Sequence, residues 1–296
     1  MSVRVSVLMT VYNAAPYLAR SIDSLLQQWF ADWELVVVEN GSTDGSAGIL
    51  GGYSDPRLRV LPLTANIGRT PALRLAFENA RGEYIAVLDA DDTCDPQRLQ
   101  KQVAHLDAHP DVVLLGSWTH YIDAEDRVIG EWAPQGDPAA LRTLMASGNP
   151  IVHSSAMYRA AAARSAGGYP LDAAFGQDLA LWLNLLAFGE PAVLPEYLAR
   201  FRILPESMTR AGIYRVDAAR DKLALLLKAR ARLQPTGEGR RRNREELAIA
   251  RIRYALALAR SGQALKGARA AASALCRDPV YVLNNRITRG LLKHTR

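Results

Sequence analysis

The sequence predicts an α/β fold: an open, mostly parallel sheet with helices on both faces, followed by a helical C-terminal extension. Three observations carry that expectation. The Val-, Leu- and Thr-rich segment Val3–Val11 reads as a strand, and the continuous apolar runs at Leu35–Val38 and Tyr84–Leu88 look like strands buried on both faces, the environment of a parallel sheet. Segments with apolar residues at helical spacing alternate with these runs, an order that builds strand–helix–strand units. From Ala211 onward Ala, Leu and Arg dominate, and strand-like runs disappear.

The elements follow in order. The first strand ends in Tyr12-Asn13-Ala14-Ala15-Pro16, and a helix runs to Gln28 with Leu18, Ile22, Leu25 and Leu26 on one face. The second strand, Glu34–Glu39, breaks at Asn40-Gly41-Ser42-Thr43-Asp44-Gly45-Ser46, a cluster of turn and helix-capping residues. Arg57–Leu63 reads as a strand, Pro71–Ala80 as a helix, Tyr84–Leu88 as a strand, Pro96–Ala108 as a helix and Val112–Gly116 as a strand. Residues 117–205 are less regular and rich in aromatics, Gly and Pro. Gly237–Arg244 reads as a solvated linker, followed by a helical hairpin from Glu245–Arg260 and Leu265–Leu275. In open α/β sheets ligands bind beyond the carboxyl ends of the strands. Three strands here end in polar groups: Thr10/Tyr12, Glu39/Asn40 and Asp89/Asp91.

Composition narrows the class further. A chain of 296 residues that is 49% hydrophobic and 22% charged is neither disordered nor a small disulfide scaffold. Its longest apolar stretches are strand-sized, short of the roughly 20 residues of a membrane helix, and the N-terminus lacks the features of a secretory signal. The expectation is a soluble, cytoplasmic protein whose Cys94 and Cys276 are reduced thiols. The net charge of +6 conceals a division: residues 1–205 carry −8 and residues 206–296 carry +14. A basic tail on an acidic body predicts an anionic partner. The alternation of charge and apolar residues in Arg251–Arg260 reads either as a helix lying on an anionic membrane surface or as part of a helical subdomain packed on the rest of the protein with a solvated basic face, and no nucleic-acid-binding motif accompanies the charge.

The chemistry centres on Asp89-Ala90-Asp91. Two carboxylates one residue apart at a strand end can grip a hard divalent cation, Mg²⁺ or Mn²⁺, whose remaining positions are filled by substrate phosphates. Asp92 and Asp95 lie just ahead of a helix and read as acids favoured by its N-terminal dipole.

At these residues the chain resembles family 2 of the inverting glycosyltransferases, whose GT-A fold is Rossmann-like. The opening strand Val5–Asn13, the Glu34–Ser46 segment, Asn66-Ile67-Gly68, Arg81–Asp92, Asn149–Ser155, Gly167-Gly168-Tyr169 and Gln177–Leu183 resemble the family's motifs in their proper order, over about residues 3–205. The resemblance implies a nucleotide-sugar-binding half at 1–116, an acceptor-binding half of the same domain at 117–205, and a basic helical region at 206–296. It implies that Thr10 and Tyr12 line the nucleotide pocket, with Tyr12 stacking on the base, and that Glu39 and Asn40 recognise base and ribose. Family members usually carry two aspartates there; an Asn still accepts a base N–H through its carbonyl but brings no charge, which leaves UDP and dTDP as the expected donors. Asp91 becomes the direct metal ligand, with Asp89 and Ala90 against the ribose or a metal-bound water, and Arg69 and Arg74 reach toward phosphate. Asp178 becomes the general base of a single displacement, beside Gln177 where the family usually has Glu. His153, Gln177 and Trp182 fall on the acceptor side. Leu204 stands where related enzymes carry a histidine.

The expected activity is transfer of a sugar from a nucleoside-diphosphate donor to a hydroxyl of a glycan or lipid-linked glycan, assisted by Mn²⁺ or Mg²⁺. A sugar nucleotidyltransferase would instead place a Gly-rich basic loop after the first strand, where this chain has Val11–Pro16. A nucleotide-sugar-binding scaffold or sensor without turnover is the other alternative, kept open by Glu39, Asn40, Gln177 and Leu204.

Overall fold

The computed structural model describes residues 3–204 and 215–278. Expectations that fall on Pro205, on the rest of the 205–214 segment or on residues 279–296 lie outside these. The chain forms two compact units. The first comprises Met1–Leu141, Pro150–Asp172 and Ala180–Leu204, and the second Arg142–Asn149, Ala173–Leu179 and Pro205–Arg296. Two short segments from the predicted acceptor half therefore group with the helical extension.

The first unit is built on nine strands: β1 (Val5–Val11), β2 (Trp33–Asn40), β3 (Leu58–Leu63), β4 (Tyr84–Val87), β5 (Thr93–Cys94), β6 (Val112–Ile122), β7 (Val128–Trp132), β8 (Met157–Arg159) and β9 (Glu190–Arg202). They hydrogen-bond in the order β3-β2-β1-β4-β8-β6-β9-β5, with β7 paired to β6. The four strands β3-β2-β1-β4 are parallel, as predicted. Beyond them the sheet is mixed. β8 runs antiparallel to both β4 and β6, and the short β5 and β7 are antiparallel to their neighbours. The region predicted to be irregular thus completes the sheet, and the strand expected to stop at Gly116 continues to Ile122. Its polar half, Ser117–Tyr121, hides the strand signal.

Period-two alternation sends Val5, Val7, Met9, Leu35, Val37 and Ala86 to one face. There they join Leu18, Ile22 and Leu25 of α1 (Ala15–Leu26) and Leu99, Val103 and Leu106 of α4 (Arg98–Ala108) in one core; a short helix, α2 (Ser46–Gly51), adds Leu50 to it. The intervening helix α3 (Arg69–Glu78) packs on β1 and β2 and buries Ala72, Leu73, Ala76 and Phe77. Both faces of the parallel part are therefore covered, which explains its unbroken apolar runs.

After β7 come α5 (Pro138–Met145), a 3-10 turn at His153–Ser155, α6 (Ala160–Ser165) and α7 (Gln177–Leu185). The second unit adds α8 (Val216–Leu233), α9 (Gly237–Arg260) and α10 (Ala264–Arg277). The predicted linker Gly237–Arg244 is instead the start of α9. Arg242 pairs with Glu238 four residues earlier at 2.6 Å, and the buried Asn243 donates to the carbonyls of Leu226 at 3.2 Å and Ala146 at 2.5 Å. Intrahelical pairing and a buried amide supply what composition did not reveal. In the Arg251–Arg260 stretch Ile252, Ala255, Ala257 and Leu258 are buried, with Ile252 packed against Ala248 and Ala274. The apolar face that suggested lipid contact is used within the unit.

Candidate active site

Leu8 of β1 lies opposite Val87 of β4, so Thr10, Tyr12, Asp89 and Asp91 emerge at one rim of the sheet. Asp89 is buried, and its backbone N–H donates to Ser154 Oγ at 3.1 Å. The guanidinium of Arg69, the first residue of α3, donates to its carboxylate at 2.5 Å, and His153 Nδ1 lies 3.4 Å away. Burial alone would raise the Asp89 carboxyl; the Arg69 guanidinium, with the His153 imidazole beside it, overrides this and holds the group below the usual carboxylate range. His153 Nε2 is 2.9 Å from the Tyr169 hydroxyl. Asp89 is thus an ionised carboxylate already matched by cationic and polar partners.

Asp91 is different. Burial, and then the charge of Asp89, push its carboxyl upward. No other described residue donates a hydrogen bond to that carboxylate. Its backbone is held nonetheless: Arg202 Nε donates to the Asp91 carbonyl at 2.7 Å, and the Arg202 backbone N–H donates to Asp92 Oδ1 at 2.7 Å. The fully buried Arg202 guanidinium also donates to the Asp123 carbonyl and the Asp126 carboxylate, and it lies over the Tyr17 ring at 4.6 Å. Asp92 is buried and receives the Ser154 hydroxyl on its second oxygen. Burial and the charges of Asp91 and Asp89 raise its carboxyl well above the usual range. Asp92 therefore anchors the loop, a role distinct from the helix-dipole acid predicted for it.

This donor set suits a hard divalent cation that brings its own phosphate ligands. Among the described residues no group of three or more His, Cys, Asp or Glu side chains converges to form a closed metal cage. Asp91 offers a carboxylate whose proximity to Asp89 is relieved by positive charge, and one or two carboxylates are the usual protein share of an Mg²⁺ or Mn²⁺ shell.

Of the residues expected to line a nucleotide pocket, Thr10 is half-buried and Tyr12, just past the end of β1, is 48% exposed. Ala90 is buried between the two aspartates. Glu39 is buried and accepts the Ser42 N–H at 2.7 Å. Asn40 departs from its expected role. Its Oδ1 accepts the Ile67 N–H at 3.0 Å, while its Nδ2 donates to Asn66 Oδ1 at 3.2 Å and the Gly68 carbonyl at 3.3 Å. The carbonyl proposed to receive a base N–H is already engaged in pinning the loop before α3. Gly41 makes that apposition possible: its φ is +71°, and a Cβ there would sit 2.5 Å from the Ala65 carbonyl carbon. Arg69 reaches Asp89, as described, whereas Arg74 is turned to the carbonyls of Gly167 (2.8 Å) and Tyr169 (3.2 Å), away from a phosphate role.

Two residues predicted on the acceptor side are corrected. His153 sits in the 3-10 turn beneath the end of β4 and is 5% exposed, against Asp89. Trp182 is fully buried, its indole N–H directed to the Ile151 carbonyl at 3.4 Å and its ring against Tyr158 and His153. It is core, because α7 turns this face inward. Trp182→Ala is expected to cost about 3–5 kcal/mol of stability, measured by denaturant unfolding, rather than to weaken acceptor binding selectively.

The predicted base belongs to the second unit. Asp178, in the first turn of α7, is partly exposed; its Oδ2 accepts the Asn149 amide at 2.7 Å and its Oδ1 the Leu179 N–H at 2.8 Å. Gln177 beside it is buried. Sequence reading missed Ser154, Arg202 and Asn149 as supports of the acidic residues. Ser154 and Asn149 lie inside the Asn149–Ser155 motif and Arg202 near the end of the resemblance, but each has its partner tens of residues away and only the fold brings them together.

An open α/β sheet with paired carboxylates at one rim presents a candidate ligand site beyond the carboxyl ends of its strands. The family model "Glycosyl transferase family 2" matches residues 6–166. Over 191 residues the chain is 34% identical to the Bacillus subtilis protein named glycosyltransferase EpsE, covering 63% of this chain and 68% of that one. Over 208 residues it is 29% identical to the amylovoran biosynthesis glycosyltransferase AmsE of Erwinia amylovora, covering 67% and 75%. The chain belongs to glycosyl transferase family 2. Its fold is that of solved GT-A structures. S. aureus TarS 1-349 in complex with UDP-GlcNAc superposes with a TM-score of 0.66 at 20% identity, over 92% of this chain and 79% of that one. The mannosyltransferase PcManGT from Pyrobaculum calidifontis, in complex with GDP-Man and Mn²⁺, gives 0.60 at 21% identity, over 98% and 83%.

Proposed function

We propose that the protein is a metal-dependent, inverting glycosyltransferase that moves a sugar from a nucleoside-diphosphate donor, UDP- or dTDP-linked, to a hydroxyl of a surface glycan or its lipid-linked precursor. The observation that carries this reading is the unequal pair at the end of β4: Asp89 paired with Arg69 and lying against His153, and Asp91 given no hydrogen bond by any other described residue. Neighbours that hold UDP-GlcNAc or GDP-Man with Mn²⁺ support the donor class, and the name of AmsE supports polysaccharide synthesis as the setting.

In this reading Tyr12 stacks on the base, Thr10 and Glu39 line the pocket, and Asn40 shapes it by fixing the Asn66–Gly68 loop. Asp91, with Asp89 through water, would hold Mn²⁺ or Mg²⁺, which supplies charge neutralisation for the diphosphate. The acceptor hydroxyl attacks the anomeric carbon on the face opposite the phosphate. As that C–O bond forms, Asp178 takes the hydroxyl proton, the anomeric C–O bond to phosphate breaks and the nucleoside diphosphate leaves with the electron pair. Asn149 keeps one Asp178 oxygen oriented throughout. Among the described residues no helix is long and apolar enough to cross a membrane. Contact with an anionic membrane surface would therefore rest on the positive charge of the C-terminal region.

Calorimetric titration with UDP, dTDP and GDP, each with and without Mn²⁺, tests the reading. The expected result is micromolar to millimolar binding of one nucleotide that strengthens at least tenfold with the ion. Binding that ignores the ion would overturn metal dependence. Tight metal-dependent binding without turnover on any sugar donor would favour the scaffold alternative.

A further inference from the structure

We infer that the C-terminal helical extension is a positioning device for the catalytic base, acting through Asp221 and Asn243. The inference rests on the reading of Asp178 as that base. Every contact behind it lies within the second unit.

The segment Ala173–Leu179 carries Asp178 and has little structure of its own before α7 begins at Gln177. Asp221 of α8 supplies what it lacks. It is 4% exposed, and its Oδ2 accepts the backbone N–H groups of Ala174 at 3.0 Å and Phe175 at 3.2 Å. Its Oδ1 accepts Arg220, at 3.0 Å from the guanidinium, so the buried charge is matched. One turn further along α8, Leu225 meets Gly176: a Cβ at that glycine would lie 2.6 Å from Leu225 Cδ1, and the glycine's φ is +70°. Residues 174, 175 and 176, the three before α7, are thus fixed by α8.

The second support comes through Asn149, the residue that donates to Asp178 Oδ2. Its segment, Arg142–Asn149, is held by Asn243 of α9. The Asn243 amide, 1% exposed, donates to the Ala146 carbonyl and to the Leu226 carbonyl of α8. Gly239 of the same helix packs against Thr143, a Cβ there lying 3.2 Å from Thr143 Cγ2. The backbone ahead of the base and the residue that orients it are therefore both anchored to the extension by buried polar side chains. A buried carboxylate that spends both oxygens on a loop's N–H groups and one arginine is costly to install for packing alone; here it fixes the approach to α7.

The test compares Asp221→Ala and Asp221→Asn with Asp178→Asn. In Asp221→Ala, kcat is expected to fall 10- to 100-fold, with nucleotide affinity by calorimetry and the donor KM within about twofold of the parent. Asp221→Asn keeps an oxygen for both backbone N–H groups and is expected to recover turnover to within about fivefold. A loss confined to kcat and rescued by Asn separates positioning from general destabilisation. If Asp221→Ala and Asn243→Ala bind nucleotide normally and turn over at the parental rate while Asp178→Asn is inactive, the positioning role is wrong and the base stands. If Asp178→Asn itself turns over normally, the base reading fails first. Should Asp221→Ala not fold, Asn243→Ala decides by the same kcat-to-affinity comparison.

Discussion

Asp178→Asn is expected to leave nucleotide binding unchanged and to lower turnover by about 10²- to 10⁴-fold, the usual contribution of a positioned general base. The asparagine keeps the shape and still accepts the Leu179 N–H through its carbonyl, so the first turn of α7 survives. What it cannot do is take a proton. Asn149, which now donates to Asp178 Oδ2, would face an amide, and one of the two amides must rotate; this local adjustment is small beside the loss of the base. Steady-state rates with the donor identified by calorimetry, read beside the binding isotherm, check the expectation. A variant with parental kcat would remove Asp178 from the mechanism.

Asp91→Asn is expected to abolish the Mn²⁺ dependence of nucleotide binding and to reduce transfer by at least about 10²-fold, the scale of losing one electrostatic clamp on developing charge. The same change should leave the melting temperature unchanged or raise it by a few degrees. The reasoning is electrostatic. The Asp91 carboxylate is pushed upward by burial and by Asp89, and it receives no hydrogen bond from another described residue. A neutral isostere removes the repulsion without breaking a bond, because Arg202 holds the Asp91 carbonyl and not its side chain. Stability gained where function is lost is the signature of a residue kept for its ligand. Differential scanning calorimetry of the two proteins without nucleotide, followed by titration with it, measures both halves. A drop of several degrees would place Asp91 among the structural acids with Asp92.

The parallel part of the fold is legible in the sequence because its strands are buried on both faces and bounded by turn chemistry: Leu35–Val38 followed by Asn40-Gly41 leaves little choice. The mixed part is not. Met157–Arg159 is three residues long, and its antiparallel partners at Tyr84–Ala86 and Leu114–Leu115 are set by tertiary pairing. The acidic pair at Asp89 and Asp91 is visible as a motif, but the difference between its members is not, since Arg69 and His153 approach from separate elements. Asn40 shows the opposite case: the residue type allows base recognition, and only the Asn66–Gly68 loop reveals that its amide is already committed. Trp182, a residue type more often core than a sugar-stacking platform, is placed in the core by the inward face of α7. The linker at Gly237–Arg244 fails for a different reason. Its arginines look solvated in isolation, and their pairing with Glu238 and the burial of Asn243 appear only once the helix has formed.

The loop from Asp89 to Asp92 also has a schedule. Ser154, which holds Asp92 and the Asp89 N–H, follows Asp92 by 62 residues, and Arg202, which closes the loop from the other side, follows it by 110. During synthesis from the N-terminus the four parallel strands are complete by Val87, and Ser21 and Arg69 are already available to hold Asp89, yet Asp92 has neither of its anchors until much later. Contacts of such sequence separation are the slowest to form. A ribosome-bound chain therefore carries the whole acidic motif long before Asp92 is held, and the loop is complete only once β9, which brings Arg202, joins the sheet.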